Sequence, residues 1–217
     1  TQQRIVLAAL NKGLLGAEAA RLLGSLIVGQ LWPRILARAA SGQAGVPIVS
    51  VYIDEVQDYL ALPGDLADAL AQARSLGVAF HLAHQYRAQL PADLRAGIDS
   101  NARNKIIFGL SASDAADLAR QAPGLETDDF QFLPRFQVYV RTLHQGQPQP
   151  WALAQTLPPP PACSDPAQLR LRSSQHYGQD RHAVEQHLLA RLSVSHRDVP
   201  TAGTESVIGR RNRPQEE

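Results

Sequence analysis

The 217-residue sequence contains no methionine, one cysteine and only 6% aromatic residues. A single cysteine, Cys163, cannot form a disulfide within the chain, which agrees with a reducing compartment such as the cytoplasm. The most apolar stretch, from Leu22 to Leu36, is interrupted by glycine, glutamine, proline and arginine, so no run is long enough to cross a bilayer. The formal net charge is only +1, so any surface that binds nucleic acid has to be local.

The start of the sequence also lacks an initiator methionine. The chain begins at Thr1 and leads at once into an apolar stretch from Arg4 to Leu10 that is typical of a strand. We therefore expect part of the fold to lie upstream of Thr1. A processed N-terminus is the alternative.

Apolar runs alternate with amphipathic stretches through the first two-thirds of the chain. This pattern predicts strands at residues 4–10, 47–53, 78–83 and 105–110, and helices at 17–40, 65–76, 91–100 and 113–121. Strands that alternate with helices imply a mostly parallel sheet, and the continuous apolar run at 47–53 predicts a strand buried on both faces. Residues 136–142 and 150–157 are predicted to form an antiparallel hairpin around Gln145-Gly146-Gln147.

A proline run at residues 158–161 marks the end of the predicted core, because consecutive prolines are stiff and extended. We expect residues 1–157 to form an α/β domain and 158–175 a proline-rich linker. Residues 176–217 are predicted to form a short helix, at 179–192, and a disordered polar tail. The arginines between residues 170 and 213 allow three interpretations: contacts with DNA phosphates, a solvated tail, or docking on a partner protein.

The strand predicted at residues 47–53 is followed directly by Asp54-Glu55. Ligands of open parallel sheets bind outside the carboxyl ends of the strands. One carboxylate at that edge can hold a magnesium ion through water, and a second can polarise an attacking water. This is the Walker B arrangement of nucleotide hydrolases. The alternative is a helix N-terminus that simply favours acidic residues.

Three further segments carry candidate site residues. Gln85, after the next strand, is either a group that orients water or senses a γ-phosphate, or an ordinary polar strand end. Arg74 is either a cation favoured near a helix C-terminus or an arginine finger that reaches the nucleotide of a neighbouring subunit. Arg103 belongs to a polar, basic segment that leads into the strand at 105–110.

In this order, the motifs resemble the C-terminal half of the conjugative coupling ATPases of type IV secretion. These TraG/TraD-like proteins belong to the HerA/FtsK group of RecA-like DNA pumps. The similar segments are residues 51–55, 66–77, 84–90, 101–108 and 114–115, together with the Asn11-Lys12-Gly13 turn and the helix that follows it. The resemblance covers roughly the first two-thirds of the chain and implies a RecA-like fold.

The resemblance implies a role for each candidate residue. Asp54 would act on the magnesium shell, and Glu55 would be the catalytic base. Gln85 would be the γ-phosphate sensor, Arg74 the finger acting in trans, and Arg103 a second basic contact to the nucleotide. The resemblance also implies ATP and magnesium as cofactors, DNA as the moved substrate and a homo-hexameric ring. Further implied features are relaxosome or secretion-channel partners and a cytoplasmic location, with membrane contact only through segments upstream of Thr1.

One departure from this pattern concerns the phosphate-binding loop. No G-x-x-x-x-G-K-[ST] sequence occurs, and in Asn11-Lys12-Gly13-Leu14-Leu15-Gly16 the lysine precedes both glycines. We expect the loop to lie upstream of Thr1, so that the 217 residues alone do not hydrolyse ATP. The alternative is that the protein does not bind ATP. The alternatives are a non-catalytic module for assembly or partner docking, and a RecA-like ATPase of pilus biogenesis or DNA repair.

Overall fold

The computed structural model describes residues 4–41, 47–59 and 66–197, apart from the side chains of residues 67 and 193–197. The chain divides into two compact units, Thr1–Pro158 and Pro159–Glu217. In chain order the first unit contains α1 (Lys12–Leu15), α2 (Ala17–Ala40), β1 (Val49–Ile53), α3 (Leu66–Gln72), β2 (Val78–Leu82), α4 (Ala92–Asn101), β3 (Lys105–Ile107), α5 (Ala112–Ala119), α6 (Thr127–Gln131), β4 (Gln137–Arg141), β5 (Leu143–His144), β6 (Gln147–Pro148) and β7 (Ala152–Gln155). Short 3-10 helices at Val56–Tyr59 and Arg87–Gln89 follow β1 and β2.

Strands β1 and β2 form a parallel pair that is linked through α3. Their register runs from Val49 opposite Val78 to Ile53 opposite Leu82. Side chains of one face, such as Ile53, pack in an apolar core with residues of α2, α3 and α4. The parallel pair confirms the predicted α/β architecture and places the carboxyl ends of both strands at one edge.

The opposite face of this pair is more open than the apolar run predicts. Exposure alternates along β1, and Tyr52 is 74% exposed. Its ring stacks on His81, the residue opposite it in β2, with 4.1 Å between the ring centroids. The prediction of burial on both faces is therefore wrong for β1 in the described part of the chain.

Residues 4–10 do not form the predicted strand. The segment is irregular, and Ile5, Val6 and Leu7 are 85–90% exposed. A strand is stable only when a neighbour pairs with its backbone N–H and C=O groups. None of the strands in the described residues pairs with this segment, so its apolar pattern alone does not produce a strand.

The fourth predicted strand, at residues 105–110, joins a different sheet from the one expected. Strand β3 pairs antiparallel with β4, and β4 pairs antiparallel with β7. The predicted hairpin is confirmed, with β5 and β6 extending it to the turn. Gln145 and Gly146 have φ of 50° and 80°, the two positive values that a two-residue type I′ turn requires.

Helices α5 and α6 pack on this antiparallel sheet around a second core. Phe130 of α6 is fully buried. Its ring centroid lies 5.2 Å from that of Tyr139 in β4 and 5.8 Å from that of Trp151, which precedes β7. Ser111 caps α5 by accepting a hydrogen bond from the backbone N of Asp114.

Helix α2 has the bounds that the sequence predicts, but its apolar side chains are not all buried. Leu22, Leu23, Leu26 and Ile27 are between 41% and 63% exposed. Gly24 is buried and lies against Tyr59 of the 3-10 helix after β1. No helix in the described residues is both long and apolar enough to cross a membrane.

Replacing Gly24 with alanine is expected to destabilise the first unit by about 1–3 kcal/mol, the usual cost of overpacking. A Cβ at this position would lie 2.3 Å from Cδ1 of Tyr59 and 2.9 Å from Cδ1 of Leu10. This clash outweighs the gain of about 1 kcal/mol that alanine normally brings inside a helix. Urea unfolding of the purified chain measures the change.

The control for Gly24→Ala is the same substitution made together with Tyr59→Ala. Removing the ring leaves room for the new methyl group, so the added cost of Gly24→Ala should fall markedly in that background. An equal cost in both backgrounds would show that the contact with Tyr59 does not explain the effect.

The second unit contains α7 (Pro166–Tyr177) and α8 (Arg181–Arg197). Asp165 caps α7 by accepting a hydrogen bond from the backbone N of Ala167. The predicted linker at 158–175 is therefore extended only in its first part, because this capped helix begins within it. The predicted tail helix is present and longer than expected, whereas residues 198–217, predicted to be disordered, lie outside the described residues.

Candidate functional site

Asp54 and Glu55 form a tight turn at the carboxyl end of β1. Ala83, after β2, ties both sides of this turn: its N–H donates to the carbonyl of Ile53, and its carbonyl accepts from the N–H of Val56, both at 3.0 Å. Glu55 has a φ of 51°, a left-handed conformation that costs a residue other than glycine about 1 kcal/mol or more. The two flanking bonds hold this conformation and direct the Glu55 side chain.

Two side-chain amides bind the Glu55 carboxylate, one on each oxygen. Nε2 of Gln85 donates to Oε1 at 2.7 Å, and Nε2 of Gln57 donates to Oε2. An ionised carboxylate has about four acceptor positions, so two remain for water or another donor. The structure thus brings together Glu55 and Gln85, which the sequence places 30 residues apart.

Asp54 points a second carboxylate to the same edge of the strand pair. Its side chain is exposed, and its Oδ1 accepts a hydrogen bond from the backbone N of Glu55 at 3.0 Å. Within the described part of the chain, no group of three carboxylate, histidine or cysteine side chains forms a ready metal site. Any metal ion here would therefore need ligands besides these side chains.

Sequence reasoning missed Gln57 and the ion cluster that follows it. Asp58, whose side chain is 8% exposed, pairs with Nζ of Lys12 in α1 and lies 3.5 Å from Nε of Arg21 in α2. The hydrogen bond with Asp58 raises the pKa of Lys12, and the nearby charge of Glu55 adds to this effect. Lys12 is thus held by the carboxylate of Asp58. The two residues lie far apart in the sequence, so their spacing does not predict this ion pair.

Arg74 lies in a turn at the other end of β2. The helix before it, α3, ends at Gln72, earlier than the sequence predicts. The turn that follows ends at Gly77, whose φ of 65° is a left-handed conformation that glycine adopts readily. Arg74 is exposed, and its guanidinium makes no ion pair with the described residues. The five residues of β2 separate this turn from the carboxyl edge by about 16 Å. Arg74 and Glu55 therefore lie at opposite edges of the strand pair.

The turn that carries Arg74 is rigidly held. Nη2 of Arg38, near the end of α2, donates to the carbonyls of Leu76 and Gly77 at 3.0 and 3.1 Å. Nη1 of the same guanidinium donates to the carbonyl of Pro47, before β1. Helix α2 is thereby bound to the segments leading into both parallel strands, and the Arg74 turn has a fixed position beside them.

Arg103 contacts the hairpin rather than the carboxyl edge of β1. Its Nη2 donates to the carbonyl of Gly146 at 3.0 Å. The neighbouring Asn104 accepts a hydrogen bond from the backbone N of Leu143 at 2.8 Å. Among the described contacts, none joins Arg103 to Glu55, and the contacts it does make secure the turn between β5 and β6.

Comparisons with known proteins identify the fold. No family model and no curated protein sequence matches the chain. Among solved structures, the plasmid coupling protein TrwB in complex with ADP and Mg²⁺ matches with a TM-score of 0.55 and 21% identity, over 70% of this chain and 40% of TrwB. TrwB in complex with the non-hydrolysable ATP analogue ADPNP matches with a TM-score of 0.53 and 20% identity, over 64% of this chain and 37% of TrwB. The chain shares the fold of TrwB over this region.

The unbound form of TrwB gives the same result, with a TM-score of 0.53 over 70% of this chain. The predicted RecA-like α/β fold is confirmed, and so is the structural resemblance to a conjugative coupling protein. The chain spans 37–40% of the length of these TrwB chains.

Proposed function

We propose that the chain is part of an ATP-driven coupling ATPase that moves DNA in conjugation, with Glu55 as the catalytic base. The observation that carries this proposal is the Glu55 carboxylate, held by Gln85 and Gln57 at the carboxyl edge of two parallel strands. Polar groups at this edge of an open α/β sheet are where such folds bind ligands. The fold shared with TrwB supports the same assignment.

We further propose ATP and magnesium as cofactors. TrwB is known in complex with ADP and Mg²⁺ and with an ATP analogue. Magnesium usually binds through one or two carboxylates, several waters and the substrate phosphates, and the exposed carboxylate of Asp54 fits this need for few protein ligands. When bound, magnesium would offset the negative charge that develops on the phosphates. Because the sequence contains no phosphate-loop motif, we assign that loop to another part of a longer protein.

The chain's own residues suit activation of a water molecule. The Glu55 carboxylate keeps free acceptor positions while two amides fix its orientation, so it can accept a proton from a water placed beside it. The Gln85 amide donates one N–H to the same carboxylate. Its carbonyl oxygen can accept a hydrogen bond from that water, and its second N–H can donate to a terminal phosphate. The roles of Arg74 as a finger in trans and of Arg103 as a nucleotide contact belong to the same proposal.

We also propose DNA as the moved substrate, a homo-hexameric ring, relaxosome or channel proteins as partners, and a location in the cytoplasm. In such a ring one subunit would complete the site of the next, which agrees with Arg74 lying at the edge opposite Glu55. A non-catalytic module for assembly or docking is the second candidate, favoured by the absence of a phosphate-loop motif from the sequence.

ATP hydrolysis by the longer protein that carries the phosphate loop tests the proposal. We expect hydrolysis that depends on magnesium and rises when DNA is added, because a DNA pump couples turnover to its substrate. Phosphate release measured with and without DNA gives the answer. Absence of hydrolysis under all these conditions would favour the non-catalytic module. Hydrolysis at the same rate with and without DNA would indicate a RecA-like ATPase with a different task.

A further inference from the structure

Arg87, two residues beyond Gln85, is held by carboxylates from two helices. Its backbone N–H donates to Oδ2 of Asp114 in α5 at 3.0 Å. Its guanidinium donates from Nη1 to Oδ1 of Asp99 in α4 at 2.9 Å, and from Nη2 to Oδ2 at 2.6 Å. A paired contact of this kind fixes the orientation of the arginine as well as its position.

These groups are largely removed from water. The Arg87 and Asp99 side chains are 16% and 23% exposed, and Asp114 is 6% exposed. Lys105 adds a second cation, with Nζ 3.4 Å from Oδ1 of Asp99. The hydrogen bonds from Arg87 lower the pKa of Asp99, which keeps it ionised, while burial and the Arg87 charge lower the pKa of His84. Such a shielded pair holds its geometry better than an exposed ion pair does.

Gln85 lies between two residues whose backbone positions are fixed, Ala83 and Arg87. On its N-terminal side, Ala83 forms backbone hydrogen bonds with Ile53 and Val56, on both sides of Glu55. On its C-terminal side, the 3-10 helix that starts at Arg87 is closed by a bond from Leu90 N to the Arg87 carbonyl at 3.1 Å. Gln85 is therefore two residues away from a fixed position in either direction.

We propose that Arg87 is a positioning residue: with its backbone on Asp114 and its guanidinium on Asp99, it holds Gln85 against Glu55. The catalytic meaning of this arrangement rests on the proposed function. Because Asp99 belongs to α4 and Asp114 to α5, a shift of either helix would change the Gln85–Glu55 contact. The competing interpretation is an ion pair that stabilises the fold and has no effect on Gln85.

Side-chain NMR of the 217-residue chain separates these interpretations. In the native chain, the Gln85 side-chain amide donates to Glu55, so its resonance should move when Glu55→Gln replaces the carboxylate with a neutral amide. In Arg87→Gln, we expect this movement to fall several-fold, and Arg87→Lys should restore part of it because one cationic contact with Asp99 remains. The matched control is Arg120→Gln, which removes an exposed arginine paired with Asp117 in the same unit.

Each result decides for or against the proposal. Loss of this movement in Arg87→Gln, partial recovery in Arg87→Lys and an unchanged movement in Arg120→Gln support it. An unchanged movement in Arg87→Gln, or an equal loss in Arg87→Gln and Arg120→Gln, overturns it. If Arg87→Gln does not fold, the isosteric Asp99→Asn removes the charge that holds Arg87 and is judged by the same criteria.

The NMR comparison does not depend on ATP turnover, so its outcome is separate from the test of the proposed function. In the longer protein, Arg87→Gln should lower kcat for ATP by about tenfold to a hundredfold with little change in KM, as expected for a misplaced catalytic group. A positive NMR result without any ATP hydrolysis would retain Arg87 as the residue that positions Gln85 and would reject the ATPase.

Discussion

Replacing Glu55 with glutamine in the longer protein is expected to lower ATP turnover by about 10²–10⁴, the usual contribution of a general base. Glutamine has nearly the same shape but cannot accept a proton from water. Nucleotide binding should persist, because the substitution removes no contact that the phosphate loop supplies. Steady-state phosphate release measures turnover, and equilibrium binding of a fluorescent ATP analogue measures affinity.

The control for Glu55→Gln is Glu18→Gln, the same chemical change at an exposed position in the first turn of α2. That variant should keep full turnover. The substitution at Glu55 also disturbs its two amide partners, since Gln85 and Gln57 both donate to the carboxylate. Thermal unfolding therefore has to accompany the kinetic measurement. Unchanged turnover in a folded Glu55→Gln protein would reject the Walker B assignment.

The parallel pair could be predicted from the sequence because its signals are local. Both strands are short apolar runs, and each is followed by polar groups that mark the carboxyl edge. The order of elements also predicts that Arg74, before β2, and Glu55, after β1, lie at opposite edges of the pair. This follows from parallel strand direction alone and requires no side-chain contact.

The predictions that were wrong depend on contacts between distant segments. Residues 4–10 have the apolar pattern of a strand, but none of the described strands pairs with them. Strand β3 also has the expected pattern, yet its direction relative to its neighbour depends on the later hairpin, with which it pairs. Periodicity reports which side of an element is apolar and says nothing of which partner covers it.

The acids of the candidate site and Gln85 could be named from the sequence, whereas the other residues that hold them could not. Asp54-Glu55 follows a clear strand, whereas Gln57 carries no signal that separates it from any polar residue in a turn. The pairing of Arg87 with Asp99 joins residues 12 apart on different elements. Such contacts arise only when packing brings the elements together, so they have to be found in the structure.

Replacing Arg74 with alanine is expected to lower turnover by about 10³–10⁵, the contribution of an arginine finger. Arg74 is exposed on a turn fixed by Arg38, and it lies about 16 Å from the edge that carries Glu55. It is thus poorly placed for its own subunit's site, and in the proposed ring it would act on a neighbour's. Arg120→Ala, which removes another exposed arginine, should leave turnover unchanged.

Mixing two inactive variants distinguishes action in trans from a defect within one subunit. In the proposed ring, each interface would pair the Glu55 edge of one subunit with the Arg74 edge of the next. When Glu55→Gln and Arg74→Ala subunits are mixed equally, roughly a quarter of the interfaces contain both intact residues, because ring interfaces join two different surfaces. We therefore expect partial recovery of phosphate release in the mixture, at a level that varies with the mixing ratio. Differential tagging verifies that mixed rings form. If mixed rings form and phosphate release does not recover, Arg74 does not act on a neighbouring subunit. The loss of activity in Arg74→Ala would then need a cause within its own chain.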